Sequence, residues 1–322
     1  MKIVVLDGHA LNPGDLDYGV YGTFGDLAVY PFPPQTQEEL VERIGDAEII
    51  ILNKVVITDE ILERCPNLKL ICVSATGYNV VDCAAADRRG VTVCNVPAYG
   101  TQMVAQFAIG LLLELCHHTW AHSESVHRGD WSRSPDFCYW NYPIIELAGK
   151  TIGIIGFGNI GKAVGRIAKA LGMKVLATGS RVSAEGLEIG TYVDLDTLLA
   201  QSDVISLHCP MFPETEKMIN AQTIAKMKDG VILINNGRGG LLDEQAVADA
   251  LASGKIYAAG VDVVSTEPMD PANPLLTAPN CIITPHISWA ATACRQRVID
   301  ITAENIRCYL SDEPQNVVNH PC

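Results

Sequence analysis

Apolar residues along this chain gather in short runs separated by polar segments of helical length. In the first hundred residues the runs are Lys2–Leu6, Ala28–Tyr30, Glu48–Leu52, Leu70–Val73 and Thr92–Cys94. Each is of strand length, and most lack the polar alternation expected of a strand with one wet face. Thr36–Ile44, Asp59–Arg64 and Val80–Arg89 read as helices between them, with Thr58 and Asn79 as N-caps. Strands that alternate with helices predict a parallel, doubly wound sheet. Pro97-Ala98-Tyr99-Gly100 breaks the pattern, and Thr101 caps a long helix predicted to reach about His127.

A second α/β block begins near Lys150. Its strand-like runs are Thr151–Gly156, Val175–Thr178, Asp203–His208, Val231–Asn235, Ala258–Val263 and Cys281–Thr284. A last helix covers about Ala293–Leu310. After the first of these strands comes Gly156-Phe157-Gly158-Asn159-Ile160-Gly161. A lone Gly-x-Gly-x-x-Gly is weak evidence, but here a strand precedes it and an amphipathic helix follows. Ile160, Ala163, Val164, Ile167, Ala168 and Leu171 fall on one helical face. This context marks a dinucleotide site, with the pyrophosphate resting on the helix N-terminus. The expected architecture is α/β with two doubly wound parallel-sheet domains. A Rossmann cofactor domain, 100–288, is inserted in a smaller flavodoxin-like substrate domain, 1–99 and 289–322.

Composition narrows the function classes. With 37 acidic against 23 basic residues, the formal charge of −14 argues against a nucleic-acid partner. Val104–Leu115 is too short to span a bilayer, and Met1–Leu6 runs into Asp7 without the apolar core of a signal peptide. A cytoplasmic protein with no membrane partner is expected. None of the eleven cysteines forms a Cys-x-x-Cys pair, so they read as reduced, structural residues. His118 and His122 have metal-ligand spacing but no carboxylate partner, and no metal is expected.

The discriminating chemistry lies downstream of the fingerprint. Arg238 stands in Asn235-Asn236-Gly237-Arg238-Gly239-Gly240, Glu267 in Asp262-Val263-Val264-Ser265-Thr266-Glu267-Pro268, and His286 in Thr284-Pro285-His286. Each follows a strand-like run. A guanidinium, a carboxylate and an imidazole beside a nicotinamide are the parts needed to reduce a 2-keto acid. His286 can protonate the developing alkoxide, and a hydrogen-bonded Glu267 would stabilise the imidazolium. Arg238 can bind the substrate carboxylate and polarise the keto oxygen. At the end of the strand after the fingerprint, where a carboxylate would select NAD, stand Thr178-Gly179-Ser180-Arg181. Ser180 and Arg181 suit a 2′-phosphate, so NADP is expected in preference to NAD. Ser74-Ala75-Thr76-Gly77-Tyr78-Asn79 lies between a strand and a helix, where free amides can form an anion-binding nest.

With these motifs in order, the chain resembles the D-isomer-specific 2-hydroxyacid dehydrogenases over nearly its whole length. The resemblance includes the fingerprint, Leu207-His208-Cys209-Pro210, the Arg238 segment, Asp262 with Glu267-Pro268, and Pro285-His286. Leu6-Asp7-Gly8, Leu11-Asn12-Pro13-Gly14-Asp15-Leu16, Asn53-Lys54 and His286-Ile287-Ser288-Trp289 look most like the glycerate dehydrogenases, or hydroxypyruvate reductases. The resemblance implies an enzyme that reduces hydroxypyruvate to D-glycerate, and glyoxylate as well. It implies Arg238, Glu267 and His286 as catalytic residues. It implies substrate contacts at Asn53, Ala75, Thr76, Gly77 and Trp289. Val104 would pack on the nicotinamide ring, Asp262 would bind its carboxamide, and His208 and Pro210 would line the cofactor's path.

Two positions depart from the family pattern. Gln106 stands where a glutamate is usual, and Trp289 where many relatives carry a small residue. A large ring at 289 favours a short, polar substrate. D-lactate-type or branched 2-hydroxyacid dehydrogenases are the alternative within the enzyme class. Corepressor relatives, in which the cofactor controls partner binding, keep the same three residues, but nothing here marks a peptide groove. Finally, the aromatic segment Trp131–Tyr142 resembles the arm of a symmetric dimer, so a homodimer is expected.

Overall fold

The computed structural model describes residues 1–320. The chain divides into two compact units, Met1–Gly100 with Ala290–Cys322, and Thr101–Trp289.

The first unit holds β1 (Lys2–Val5), β2 (Asp26–Val29), β3 (Ile49–Leu52), β4 (Leu70–Val73) and β5 (Thr92–Cys94). They form a parallel sheet in the order β2-β1-β3-β4-β5, the flavodoxin-like winding. Every residue of β3 and β4 is buried. Ile50, Leu52, Ile71 and Val73 pack with Leu40, Ile44, Ile61 and Leu62 from the helices of one face. Their neighbours Ile49, Ile51, Leu70 and Cys72 point the other way and are equally buried. Helix Thr292–Leu310 packs against β4.

Thr36 and Thr58 cap their helices by accepting from Glu39 N at 3.1 Å and Ile61 N at 3.4 Å. Asn79, the other expected cap, does not serve. The helix is Cys83–Arg88 and Asp82 caps it, accepting from Ala85 N at 2.9 Å. Val81 bridges to Ile57 in parallel fashion, which holds the chain extended past Asn79.

The second unit is a seven-stranded parallel sheet in the order β12-β11-β10-β9-β6-β7-β8. The ranges are β6 (Thr151–Ile155), β7 (Lys174–Thr178), β8 (Thr191–Tyr192), β9 (Val204–Leu207), β10 (Val231–Asn235), β11 (Ile256–Val261) and β12 (Cys281–Ile283). Winding reverses between β6 and β9, the place where open α/β sheets bind ligands. Ile152, Ile154, Ile232 and Ile234 join the helices Thr101–His117 and Asn159–Ala170 in one core. Ile155, Val231 and Leu233 point to the opposite face and form another with Leu198 and Leu251. Alternate residues of one strand thus feed two cores, which is why these runs are apolar without interruption.

The long helix expected to His127 is two helices, Thr101–His117 and Thr119–His127. His118 between them is left-handed at φ 48°, a conformation that costs about 1–3 kcal/mol for a non-glycine residue. Its ring stacks on Tyr142 at 4.7 Å. His122 accepts from Asn141 N at 3.1 Å, so both histidines of the expected metal spacing serve to hold the 139–142 segment. Burial pushes the Cys94 thiol up to about 12 and those of Cys116 and Cys281 to about 11. These side chains therefore remain protonated thiols, packed as small apolar groups. Among the described residues, no helix is long and apolar enough to cross a membrane, and no cluster of three or more His, Cys, Asp or Glu could hold a metal.

Candidate active site

The fingerprint closes the turn between β6 and helix Asn159–Ala170, and its glycines have three different environments. Gly156 sits at φ +93°, and a Cβ there would lie 2.3 Å from Cys209 N. At Gly161 a Cβ would come within 2.2 Å of the Gly156 carbonyl oxygen. Gly158, the helix N-cap, has nothing within 4 Å of its Cβ position. The outer two glycines therefore permit close packing inside the protein, and the middle one leaves room for a ligand. The amides that open the helix, from Asn159 and Ile160 onward, face that room with the positive end of the helix dipole.

His208 follows β9 beside this turn. Its Nε2 lies 2.8 Å from Ser206 Oγ, while Nδ1 is buried with no partner in the described protein. Burial pushes its pKa down to about 4, so the ring is neutral at physiological pH. An orphaned ring nitrogen beside the fingerprint turn fits a bound dinucleotide that supplies the missing partner. Pro210 is exposed, and its carbonyl accepts from Thr215 Oγ1 at 3.0 Å. Ser180 and Arg181 lie exposed after β7, and Arg181 forms no ion pair among the described residues. Val104 is half-buried on helix Thr101–His117, and its carbonyl accepts from Asn236 Nδ2 at 2.8 Å.

The three candidate catalytic side chains emerge at the carboxyl ends of β10, β11 and β12. His286 Nδ1 lies 2.7 Å from Glu267 Oε2, and both side chains are about one-third exposed, at 33% and 34%. With Nδ1 engaged, Nε2 is the nitrogen left to face a substrate. Arg238 is exposed, and its Nη1 donates to the Gly237 carbonyl at 2.8 Å. Asn235 shapes that turn from within: its Nδ2 donates to the Arg238 carbonyl at 3.0 Å and its Oδ1 accepts from Gly237 N at 3.2 Å. A Cβ on Gly239 would lie 1.9 Å from the Val264 carbonyl carbon. Only glycine lets the Arg238 turn lie directly on the segment that leads to Glu267.

Asp262 takes a place that its sequence context does not announce. The resemblance assigns it to the cofactor's carboxamide. In the fold it is 1% exposed, and its Oδ1 accepts from Thr284 Oγ1 at 2.5 Å and Ile287 N at 2.9 Å. Oδ2 accepts from Ser288 N at 2.7 Å. One carboxylate therefore holds the 284–288 segment in which His286 adopts a left-handed φ of 55°. Trp289, half-buried, donates from Nε1 to the His286 carbonyl at 2.8 Å, so the ring is tied to the same turn.

The remaining expected contacts belong to the smaller unit. Thr76 Oγ1 donates to the Val96 carbonyl at 3.0 Å, and the Thr76 carbonyl accepts from Asn95 Nδ2 at 2.7 Å. These bonds fix the Ala75-Thr76-Gly77 turn at the end of β4, and the amides of Thr76 and Gly77 have no acceptor among the described residues. Asn53 N and Lys54 N bind the two oxygens of buried Asp7 at 2.8 and 2.6 Å. This clamp sets the turn after β3 on which Asn53 stands.

Comparison with known proteins shows the family. A family model described as "D-isomer specific 2-hydroxyacid dehydrogenase, NAD binding domain" matches residues 109–288. A hydroxypyruvate reductase from Blautia hydrogenotrophica is 56% identical over 321 residues, covering 99% of this chain and 100% of that protein. A glycerate dehydrogenase from Methylorubrum extorquens is 47% identical, covering 88% of this chain and 89% of its own. Among solved structures, an acyclic imino acid reductase (Bsp5) in complex with NADPH and D-Arg superposes with a TM-score of 0.85. It is 31% identical, over 99% of this chain and 100% of its own. A glycine fingerprint at the winding reversal, an imidazole–carboxylate pair at the strand ends, and full-length identity above one half lead to one conclusion: the chain belongs to the D-isomer-specific 2-hydroxyacid dehydrogenases and is an oxidoreductase of that family.

Proposed function

We propose that the protein reduces hydroxypyruvate to D-glycerate, with glyoxylate as a second substrate and NADPH as the preferred reductant. The observation that carries this reading is the 2.7 Å contact between His286 Nδ1 and Glu267 Oε2, in a chain 56% identical to a hydroxypyruvate reductase. The bound dihydronicotinamide supplies the hydride that goes to C2 of the keto acid. His286 gives the proton that the alkoxide oxygen takes up, from Nε2. Glu267 keeps the proton-bearing Nδ1 oriented. Arg238 binds the substrate carboxylate and draws charge onto the keto oxygen. The side chain of Trp289 adds a substrate contact and limits the length of the C3 substituent. Val104, the fingerprint residues, His208, Pro210 and Asp262 serve the cofactor, and Asp262 also holds the His286 turn.

Side-by-side oxidation of NADPH and NADH with hydroxypyruvate, glyoxylate, pyruvate and 2-ketoisocaproate tests the reading. Highest kcat/KM with hydroxypyruvate supports it; highest kcat/KM with pyruvate or 2-ketoisocaproate replaces it with a D-lactate-type or branched-acid enzyme.

Preference for NADPH rests on Ser180 and Arg181 at the adenosine end. A charge-assisted contact from Arg181 to a 2′-phosphate contributes about 1.5–3 kcal/mol. Arg181→Ala is therefore expected to weaken NADPH binding roughly 10- to 100-fold and to leave NADH binding nearly unchanged. Fluorescence titration of both cofactors reads this directly, and equal losses for the two would remove the assignment.

We further propose a homodimer built on the 120–144 region. Trp131 Nε1 donates to the Phe137 carbonyl at 2.9 Å, and buried Ser125 meets the Tyr139 hydroxyl at 2.6 Å. The backbone is fixed, yet Trp120, Phe137 and Trp140 remain 70%, 83% and 67% exposed. Ordered, exposed aromatic rings of this kind mark an interface. Light scattering at micromolar concentration is expected to give twice the 34.7 kDa chain mass, and a monomer mass would refute the dimer.

A further inference from the structure

Glu244 is the first residue of helix Glu244–Ser253, with Asp243 as its cap. A glutamate at this position ordinarily faces solvent and complements the helix dipole. Here its carboxylate turns to the 265–273 loop. Oε1 accepts from Ser265 N at 2.8 Å, and Oε2 accepts from Ser265 Oγ at 2.7 Å and Asn273 Nδ2 at 2.9 Å. Asn273 is 7% exposed, and its Oδ1 accepts from Leu275 N at 3.0 Å. Both ends of the loop thus hang on one side chain. Between them stands Glu267, with Oε2 on His286 and Oε1 accepting from Val264 N at 3.3 Å. On the far side, Gly239 presses the Arg238 turn against Val264 and Ser265.

We infer that Glu244 is a positioning residue for the reaction: it fixes the loop so that the Glu267 carboxylate meets His286 Nδ1. The inference rests on the reading of His286 and Glu267 as the acid/base pair. Glu244 touches neither substrate nor cofactor. It acts through Ser265, two residues from Glu267, and displacement of a catalytic partner by about 1 Å can cost up to about 100-fold in rate.

The test is a double-mutant cycle between Glu244→Ala and Glu267→Gln, read by kcat, KM and cofactor binding. Glu244→Ala alone is expected to lower kcat 10- to 100-fold, with KM and the NADPH dissociation constant within twofold of the parent. In the Glu267→Gln background the same change is expected to alter kcat less than threefold, because the group it positions is already gone. Glu244→Gln keeps an oxygen acceptor for Ser265 N but sets its NH2 against Asn273 Nδ2, and it is expected to recover part of the lost kcat. An equal loss of kcat in both backgrounds would make Glu244 a merely structural residue and overturn the inference. So would an unchanged kcat in Glu244→Ala; should that variant fail to fold, the shorter Glu244→Asp takes its place in the cycle, and an equal loss of kcat with and without Glu267 overturns the inference in the same way. If Glu267→Gln by itself retains full kcat, the acid/base reading falls and takes this inference with it.

Discussion

His286→Asn is expected to lower kcat for keto acid reduction by roughly 100- to 10,000-fold, the usual contribution of a positioned general acid. Each tenfold corresponds to about 1.4 kcal/mol of barrier, so the loss amounts to about 3–5 kcal/mol. Asparagine is the informative replacement because position 286 is left-handed at φ 55°, and asparagine adopts that conformation more readily than most residues. The turn and its bonds from the backbone, His286 N to the Asp262 carbonyl at 2.8 Å among them, can then survive. The loss would report chemistry, not unfolding. Cofactor binding measured by fluorescence is expected to stay within twofold. Turnover within tenfold of the parent would exclude His286 as the proton donor.

The second large effect belongs to Asp262→Asn. An amide presents an NH2 group on one side whichever way it is turned. The carboxylate faces backbone donors from both of its oxygens, Ile287 N at 2.9 Å and Ser288 N at 2.7 Å. One of these loses its acceptor in a site only 1% exposed. An orphaned buried donor costs about 1–3 kcal/mol, which for a unit of this size lowers the melting temperature by roughly 2–12 °C. Relief of the conflict requires the 284–288 turn to move, and His286 moves with it. We therefore expect kcat to fall up to about 100-fold together with the melting temperature. A variant with a parental melting temperature and parental kcat would show that the Asp262 hydrogen bonds do not hold the His286 turn.

Asp262 also shows where reading the sequence stops. Its place at the end of β11 is legible, because Ala258–Val263 is an apolar run and Asp262 interrupts it. Which group its oxygens meet is decided by Thr284, Ile287 and Ser288, more than twenty positions away. The same holds for Glu244. In the sequence it is an ordinary first-turn glutamate, and only the packing of helix Glu244–Ser253 under the 265–273 loop turns it inward. The Asn79 cap and the unbroken helix to His127 failed for a related reason. Local propensity favoured each, but the Ile57–Val81 bridge and the His118–Tyr142 stack, both tertiary contacts, prevailed.

Two parallel sheets, the dinucleotide turn and the places of Arg238, Glu267 and His286 after strand ends are legible in consecutive residues. Uninterrupted apolar runs bury on both faces, three spaced glycines satisfy local steric needs, and side chains at strand ends must emerge on the sheet's carboxyl edge. Those constraints are local or periodic, so they are written in consecutive residues. Tertiary structure alone decided that Glu267 meets His286 at 2.7 Å. It alone turned Asp262 to the His286 segment and Glu244 to the loop of Glu267. These are hydrogen bonds between residues distant in sequence, and their direction depends on how β10, β11 and β12 are stacked in register. No period or motif in the chain records that.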